Sequence, residues 1–427
     1  MKTFDFLPAD TLFFRDARPM AAGSGYGRGA SWPLPTVLHS ALRTSLLRIK
    51  GEMPSRKQSG YERNGHRHGS FASASFNWLN LLGPFPFSSR HQSVFFPIPR
   101  DVVMTESCGK SMAECLKIVL PDGSGNLPPP LTRLAASFAT PGKQSVPPWV
   151  RADFLQAYLS GVGPLPPLDD AKLELWDTEY RTGIAIDPST QTAADSQIYA
   201  AEHLRLRQDI SLRFGISEPQ ANGHLTPGEE EAFAQLDSNV VLLGGESRFG
   251  SLRLAPDPVV LPAGKIGGCF VKWVLLTPAI FTGGWLPGWI DPETGEVKLR
   301  VKPPDFDRRS HRRSRRDGSA AYEEQSRLGE SIEAKLVSAC TGKPQVVSGW
   351  DLTGSEVSET SRPSPKPTLL AVPSGSVYYF EAGSPESAQL LAKTLQGRCR
   401  SDFFGEKGLG LGVCGPWTPH DDHKAKP

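Results

Sequence analysis

The sequence predicts an α+β protein made of two ferredoxin-like halves with loop and hairpin insertions. Short apolar segments with strand character outnumber helical segments, and the order strand, loop, helix and further strands occurs twice along the chain. The 42 glycines and 39 prolines in 427 residues agree with many turns and few long helices. This pattern favours two ferredoxin-like units over a parallel, doubly wound sheet. We place the boundary at residue 262, which gives domains of residues 1–262 and 263–427.

In the first half, apolar clusters predict short strands at residues 3–7, 11–14, 94–98, 172–176 and 240–243. A glycine-rich loop at 21–30 precedes a helix, which Thr36 is predicted to cap and which runs from Val37 to Ile49. Two further strands, 181–187 and 198–207, are predicted on either side of a long polar excursion. The first half is therefore expected to carry this helix, several short strands and inserted segments.

In the second half, an apolar block that opens at Cys269 and further segments at 334–338, 345–348 and 376–381 predict strands. Ser384 and Pro385 have the composition of a helix start. The apolar stripe of this helix is Ala388, Leu390, Leu391 and Leu395. A glycine-rich stretch follows the helix directly.

Several function classes are excluded by composition and motif. The formal net charge is only +2, so any attraction to nucleic acid has to come from local clusters of basic residues. The six cysteines include no Cys-x-x-Cys pair, and no metal site is predicted. There is no P-loop motif. The N-terminus has no apolar signal segment and the run from Cys269 to Phe281 is too short to span a bilayer, so a cytoplasmic protein without membrane association is expected.

The C-terminal stretch contains Gly410-x-Gly412-x-x-Gly415, which matches the dinucleotide-binding fingerprint. Pro416 follows at once, so no helix can begin there to receive a pyrophosphate. We therefore predict no dinucleotide and no other cofactor. The alternation of glycine with Leu409, Leu411 and Val413 predicts a strand whose apolar side lies in the core and whose bare backbone faces out, toward a ribose–phosphate chain. Close packing on a neighbouring element is the alternative.

The basic glycine loop near the N-terminus is the second candidate RNA surface. Glycines allow a phosphate chain to approach main-chain N–H groups, and arginines supply charge around them. The predicted contact residues are Arg15, Arg18, Gly23, Gly25, Gly27, Arg28 and Arg43 here, with Lys407, Gly408, Gly410 and Gly412 at the other end of the chain. A plain turn with solvated arginines is the alternative. The two stretches are expected to meet in space and form one cationic cradle for a single RNA strand.

Two further segments leave more than one interpretation open. His39 lies in the first helix and would suit a general acid or base of an RNA-cleaving enzyme, although a single helical histidine is more often structural. The arginine-rich run at 308–316 has the composition of a basic arm that binds nucleic acid without sequence preference or stays solvated.

Several blocks together resemble a known family in the order in which that family carries them. These blocks are Leu12-Phe-Phe-Arg-Asp-Ala-Arg-Pro19, Pro33-Leu-Pro-Thr-Val-Leu-His-Ser-Ala-Leu-Arg43, Arg181-Thr-Gly-Ile-Ala-Ile-Asp187, Leu243-Gly-Gly-Glu-Ser-Arg248, Val347-Ser-Gly-Trp-Asp-Leu352 and Pro373-Ser-Gly-Ser-Val-Tyr-Tyr-Phe-Glu381. They are similar to the third subunit of Cmr complexes, the type III-B CRISPR effectors. The C-terminal glycine stretch resembles the glycine loop of the RAMP superfamily, of which this family is a Cas5-like member.

The resemblance implies two RRM-type domains, no catalysis and a role in antiviral defence. It implies that the chain holds the 5′ handle of the CRISPR RNA and contacts a Cas10-type large subunit and a Cas7-type backbone subunit. The excursion between Asp187 and Ile198 would correspond to a protruding hairpin that meets the guide or its target RNA near the guide 5′ end. Arg181 and Arg248 are predicted on the same RNA surface. The alternatives are a metal-independent endoribonuclease that uses His39 and an assembly adaptor that touches RNA only incidentally.

Overall fold

The computed structural model of the chain describes most of the 427 residues. The described ranges are 1–15, 25–27, 29–53, 55–57, 62–63, 66–67, 70–72, 75–107, 110–121, 126–143, 145–168, 174–217, 225–301, 328–351 and 364–420. Four of the predicted contact positions and segments lie outside them, namely Arg18, Gly23, Arg28 and the arginine-rich run at 308–316.

The strands of the first half begin with β1 and end with β19. They are β1 (Lys2–Pro8), β2 (Gly25–Gly27), β3 (Ser55–Lys57), β4 (Glu62–Arg63), β5 (His66–Arg67), β6 (Ser70–Ala72), β7 (Asn80–Ser88), β8 (Ser93–Pro97), β9 (Val102–Ser107), β10 (Lys110–Cys115), β11 (Lys117–Val119), β12 (Leu134–Ala136), β13 (Thr140–Pro141), β14 (Trp149–Arg151), β15 (Trp176–Ile186), β16 (Ala193–Leu206), β17 (Ile210–Ser217), β18 (Val240–Leu242) and β19 (Phe249–Leu254).

The strands of the second half, and the helices of both halves, complete the described elements. The strands are β20 (Phe270–Leu275), β21 (Arg300–Val301), β22 (Glu330–Ser331), β23 (Ala334–Cys340), β24 (Gln345–Val347), β25 (Trp350–Asp351), β26 (Ser364–Pro365), β27 (Leu369–Ala371), β28 (Val377–Ala382), β29 (Arg398–Cys399) and β30 (Leu411–Pro416). The helices are α1 (Pro35–Ile49), α2 (Ala152–Ser160), α3 (Pro227–Ala234) and α4 (Pro385–Leu395), with a 3-10 turn at Gly405–Lys407.

Two antiparallel sheets organise the molecule. The first has seven strands in the order β14-β8-β7-β17-β1-β19-β18, and the second has five in the order β23-β28-β20-β30-β29. In both sheets every neighbouring pair is antiparallel. This confirms the α+β class with mostly antiparallel sheets and few helices. Among the strand pairs of the described ranges, the pair of β2 with β16 is parallel.

The largest hydrophobic core is shared by the two predicted halves. It combines Phe85, Phe96 and Phe154 from the first half with Val274 and Val413 from the second. Two further cores lie within one half each: one packs α1 and α3 against β1, β17 and β19, and the other packs α4 against β20 and β28. The boundary at residue 262 stays a prediction, and the shared core shows that residues on either side of it are buried against each other.

The start of α1 differs from the prediction. The helix begins at Pro35, with Leu34 in the extended N-cap position, and Thr36 makes no capping bond. Proline at the first helical position has no N–H to satisfy and a fixed φ that suits a helix, which explains the earlier start. For α4 the predicted cap is correct, because the Ser384 side chain accepts a hydrogen bond from the Ser387 amide.

Two predicted strands also differ. Residues 11–14 are buried, but Leu12 forms only an isolated bridge to Leu204 and no strand. The strand predicted at 240–243 is present as β18, yet it lies at the edge of its sheet and leaves Val240 and Leu242 49% and 60% exposed. Apolar composition alone does not separate an edge strand from a buried one. None of the helices in the described ranges has the length and apolar character needed to cross a bilayer.

Candidate RNA-binding surfaces

The C-terminal glycine stretch lies inside the second sheet. Strand β30 is flanked by β20 and β29, and Gly410, Gly412 and Gly415 are all buried. A Cβ atom at Gly412 would stand 2.1 Å from Nε1 of the fully buried Trp273, and one at Gly415 would stand 2.5 Å from the Leu159 carbonyl oxygen. The prediction of an outward-facing bare backbone is therefore wrong. Each glycine is needed because a neighbouring residue occupies the space of its side chain.

The turn that precedes β30 packs against the first helix. Gly408 has a φ of 97°, a left-handed conformation that favours glycine. A Cβ at Gly408 would lie 3.0 Å from the Pro35 Cβ and 3.1 Å from the Leu81 carbonyl oxygen. The C-terminal turn and the start of α1 are thus in direct contact, although more than 370 residues separate them in sequence.

This contact creates a group of positive charges that we call the α1 cation cluster, made of Arg43, Lys366 and Lys407. Burial lowers the pKa of Lys407, and the charges of Lys366 and Arg43 lower it further, while Glu406 opposes them. Burial also lowers the pKa of Arg43. Two predicted contact residues, Arg43 and Lys407, therefore come together, and Lys366 joins them unpredicted. Like charges that repel one another in a half-buried place are stabilised by an anionic partner.

The side chain of Arg43 is held in a defined orientation. Its Nη2 donates to the Ser75 carbonyl oxygen at 3.2 Å and to Asn77 Oδ1 at 3.0 Å. Lys407 places its ammonium 4.9 Å from the centre of the Phe404 ring. Each cation also has a carboxylate nearby, because the charge of Glu52 raises the pKa of Arg43 and the charge of Glu406 raises that of Lys407, in both cases against the larger effect of burial.

His39 lies beside the same cluster but is buried in the protein. Its Nε2 is 3.3 Å from the Leu79 carbonyl oxygen, and the residue is 6% exposed. Burial and the charges of Lys407 and Arg43 lower the pKa of His39 to about 4. The imidazole is therefore neutral at pH 7, so it is not a general acid there, and its low pKa and burial make it a weak general base, which disfavours the catalytic interpretation.

The lowered pKa of His39 predicts a pH dependence of stability. An unfolded histidine has a pKa near 6.5, so the unfolded chain takes up a proton at this position between pH 6.5 and 4 while the folded chain does not. The free energy of unfolding is expected to fall across that window, by up to about 3 kcal/mol from His39 alone. The free energy of unfolding, measured by urea denaturation at several pH values, should fall less steeply with decreasing pH for His39→Gln than for the wild type. Parallel profiles would contradict the burial of a neutral His39.

The N-terminal glycine loop lies elsewhere, against a long hairpin. Gly25 and Gly27 pair with Tyr199 and Ala201 of β16, and Arg15, whose side chain is exposed, forms a backbone bridge to Gly29. Residues 29–35 then lead from this loop to α1, and on the way Trp32 donates its Nε1–H to the Pro84 carbonyl oxygen. The N-terminal loop and the C-terminal turn are therefore linked through residues 29–35, and the single cationic cradle that they were expected to form stays a prediction.

The hairpin itself is formed by β15 and β16, of 11 and 14 residues. Half of the excursion predicted between Asp187 and Ile198, residues 193–197, belongs to β16, and residues 187–192 connect the two strands. Tyr180, Ile184, Ile186 and Ile198 are each about half exposed or more. Near its base, Trp32 stacks on Trp176 at 5.4 Å between ring centres. A long two-stranded ribbon with apolar side chains in solvent is suited to contact another molecule.

Arg181 and Arg248 belong to a charge network at the base of this hairpin. We call it the Asp10 network, after the carboxylate at its centre, and it contains Asp10, Glu179, Glu246, Arg181, Arg205 and Arg248. Its ion pairs range from 2.6 to 3.5 Å. No sequence pattern pointed to Arg205 or Asp10, because the ion pairs of this network join residues as far as 238 positions apart.

Nearly the whole chain matches one protein family. Residues 4–417 match the family described as CRISPR-associated protein (Cas_Cmr3). The chain belongs to this family. The predicted relationship to the third subunit of Cmr complexes is thereby confirmed.

Three solved structures are similar to the chain at low identity. Two are chains of the type III-B Cmr-beta complex bound to cognate target RNA, studied by cryo-EM. The one that also holds AMPPnP, in state 1, has 14% identity, covers 95% of this chain and 93% of its own, and gives a TM-score of 0.44. The other has 15% identity, coverages of 96% and 95% and the same TM-score. A chain of the Csm3–Csm4 subcomplex of the type III-A interference complex has 11% identity, coverages of 90% and 93% and a TM-score of 0.34. No curated protein matches the chain.

Proposed function

We propose that the chain is a non-catalytic RNA-binding subunit that holds the 5′ handle of the CRISPR RNA. In this role it joins a Cas10-type large subunit to Cas7-type backbone subunits. The observation that carries the proposal is the α1 cation cluster. Arg43, Lys366 and Lys407 are assembled from distant parts of the chain, and Arg43 and Lys407 are partly buried. A polyanion would offset the repulsion among the three cations and the desolvation of Arg43 and Lys407.

We also propose that each sheet is a ferredoxin-like unit. In the first sheet, β1, β7, β17 and β19 lie in the order β19-β1-β17-β7, with α1 between β1 and β7 and α3 between β17 and β19. In the second, β20, β23, β28 and β30 lie in the order β30-β20-β28-β23, with α4 before β30. Both correspond to a β-α-β-β-α-β chain in which the fourth strand pairs with the first, although no helix is described between β20 and β23.

The hairpin of β15 and β16 is the proposed contact with the guide or target RNA near the guide 5′ end. Its exposed apolar residues would pack against bases, a contact that is tolerant of sequence. Arg15, Gly25 and Gly27 at its side stay proposed contacts, together with Arg18, Gly23 and Arg28. Gly408, Gly410 and Gly412 support the surface by packing rather than by touching RNA, because they are buried.

Removal of two charges from the α1 cation cluster tests the proposal. The double variant Arg43→Gln/Lys407→Gln should bind handle RNA tens of times more weakly, and the slope of log affinity against log salt should fall by about 1.4, or ~0.7 for each lost phosphate contact. The matched control is Lys298→Gln/Lys335→Gln, which removes two exposed lysines that pair with Asp291 and Glu296. Equal affinities of the two double variants would favour an assembly adaptor that touches RNA only incidentally.

The endoribonuclease alternative is decided by incubation of the full chain with repeat RNA in EDTA. The buried and neutral His39 favours binding without cleavage. Cleavage that His39→Ala abolishes would reverse this conclusion.

A further inference from the structure

Three arginines from separate segments converge on one carboxylate. Arg181 Nη2 donates to Asp10 Oδ2 at 2.8 Å and Arg205 Nη2 donates to Asp10 Oδ1 at 3.0 Å. Arg248 Nη1 reaches Asp10 Oδ2 at 3.5 Å. The Asp10 side chain is 44% exposed, so the point where the three guanidinium groups meet is open to solvent.

A second carboxylate orients two of these guanidinium groups from behind. Glu179 accepts the Nε–H groups of Arg181 and Arg205, each at 2.7 Å. The Nη2 group of Arg181 is then directed at Asp10, while Nη2 of Arg205 lies between Glu179, at 2.6 Å, and Asp10, at 3.0 Å. The contact of Arg248 to Asp10 is long, and its buried Nε has no hydrogen-bond partner in the described part of the chain. Arg181 and Arg205 are thus held in place whether or not Asp10 is the acceptor, and Arg248 makes only a long hydrogen bond to Asp10.

We propose that Arg181, Arg205 and Arg248 form a phosphate-binding site, and that Asp10 occupies this site as an internal anion until RNA arrives. A phosphodiester has the charge of a carboxylate and its two free oxygens accept the same donors, so it can take the place of Asp10. That the phosphate belongs to RNA depends on the function proposed above; the site itself does not.

Electrostatics agree with this arrangement. Hydrogen bonds from Arg181 and Arg205 lower the pKa of Asp10 to about 2, although burial opposes them, so Asp10 is an anion at any physiological pH. The network balances three arginines with Asp10, Glu179 and Glu246 while His203, whose pKa burial lowers, stays neutral. Loss of the Asp10 charge would leave one uncompensated positive charge in the place that a phosphate would fill.

Asp10→Asn separates an anion site from a purely structural network. In chloride, the variant should have a lower Tm than the wild type, because the arginines repel one another. Replacement of chloride by inorganic phosphate at matched ionic strength should raise the Tm of Asp10→Asn by about 2 °C or more. The control Asp257→Asn removes an exposed carboxylate outside the network, and phosphate should raise its Tm only a little. An equal response of the two variants to phosphate would overturn the proposal.

Two neighbouring arginines provide the test in the chain with Asp10 intact. Arg205 and Arg207 have side chains 46% and 42% exposed, and both are ion-paired, but Arg207 pairs with Glu174 and Asp177 outside the network. Arg205→Gln should weaken handle RNA binding about tenfold, as expected for one charged hydrogen bond, and Arg207→Gln should not. Equal losses in the two variants would show that no phosphate is held at this site.

The two experiments distinguish the inference from the proposed function. If the wild type does not bind handle RNA, the function fails, while the phosphate response of Asp10→Asn still decides whether an anion site exists. If RNA binding depends on Arg43 and Lys407 but not on Arg205, and phosphate does not raise the Tm of Asp10→Asn more than that of its control, the function stands and the inference fails.

Discussion

Replacement of Gly412 by alanine is expected to lower the free energy of unfolding by about 3 kcal/mol. The new Cβ would stand 2.1 Å from Trp273 Nε1 and 2.6 Å from its Cε2, distances that no real Cβ contact reaches. Trp273 belongs to β20, and its side chain is fully buried in the core that β20 shares with α4, so it cannot move away without disturbing its neighbours. Chemical denaturation monitored by tryptophan fluorescence would measure the loss.

The chain offers a matched control in Gly268→Ala. A Cβ at Gly268 meets nothing within 4 Å, and neither this glycine nor Gly412 has a left-handed φ. The control is expected to be neutral or slightly stabilising, because alanine restricts the unfolded chain. If Gly412→Ala were as stable as Gly268→Ala and had lost only its affinity for RNA, the glycine backbone would face the ligand, as the sequence alone predicted.

The elements whose periodicity is strong could be predicted from the sequence. Strands β20 and β28 and helix α4 lie where apolar runs and the Ser384 cap placed them, because burial of one face leaves a period of 2 or 3.6 in the chain. Strand β30 shows where this reasoning ends. Alternation of glycine with leucine indicates two different faces, but only the contact of Gly412 with the Trp273 side chain and that of Gly415 with Leu159 of α2 show that both faces are covered.

The candidate sites depend on contacts between distant residues, so the sequence predicted them only in part. Arg43 and Lys407 were identified by their basic and glycine-rich surroundings and do come together. The partners of Arg181 and Arg248 could not be predicted, because Asp10 stands in an unremarkable turn far away in sequence. Whether an arginine is available to RNA depends on its carboxylate neighbours, and composition does not contain that information.

A buried polar cluster inside the shared core leads to the second large prediction. Asp101 is 1% exposed and accepts hydrogen bonds from the hydroxyl groups of Tyr158, at 2.7 Å, and Tyr379. Lys272 is 5% exposed; its Nζ donates to the Tyr158 carbonyl oxygen at 3.0 Å and lies 3.5 Å from the centre of the Tyr158 ring. Asp101 and Tyr158 come from the first half of the chain, and Lys272 and Tyr379 come from the second.

Asp101→Asn is expected to lower the free energy of unfolding by about 3–5 kcal/mol, because it leaves the buried Lys272 charge without its carboxylate. Burial already lowers the pKa of Lys272, and the charge of Asp101 opposes this shift, so loss of that charge makes a protonated Lys272 still less favourable. Lys272→Met should be similarly costly, since it leaves Asp101 as the uncompensated charge. The two halves are expected to lose stability together, because the cluster joins them.

The double variant Asp101→Asn/Lys272→Met distinguishes charge compensation from loss of packing. If the two charges stabilise each other, the double variant should be more stable than the sum of the single losses implies, with a coupling of about 1–3 kcal/mol. Exchange of an exposed pair, Lys335→Met with Glu296→Gln, should show a coupling within about 0.5 kcal/mol, because solvent screens that pair at 3.5 Å. Additive losses at Asp101 and Lys272 would mean that the two charges do not compensate each other.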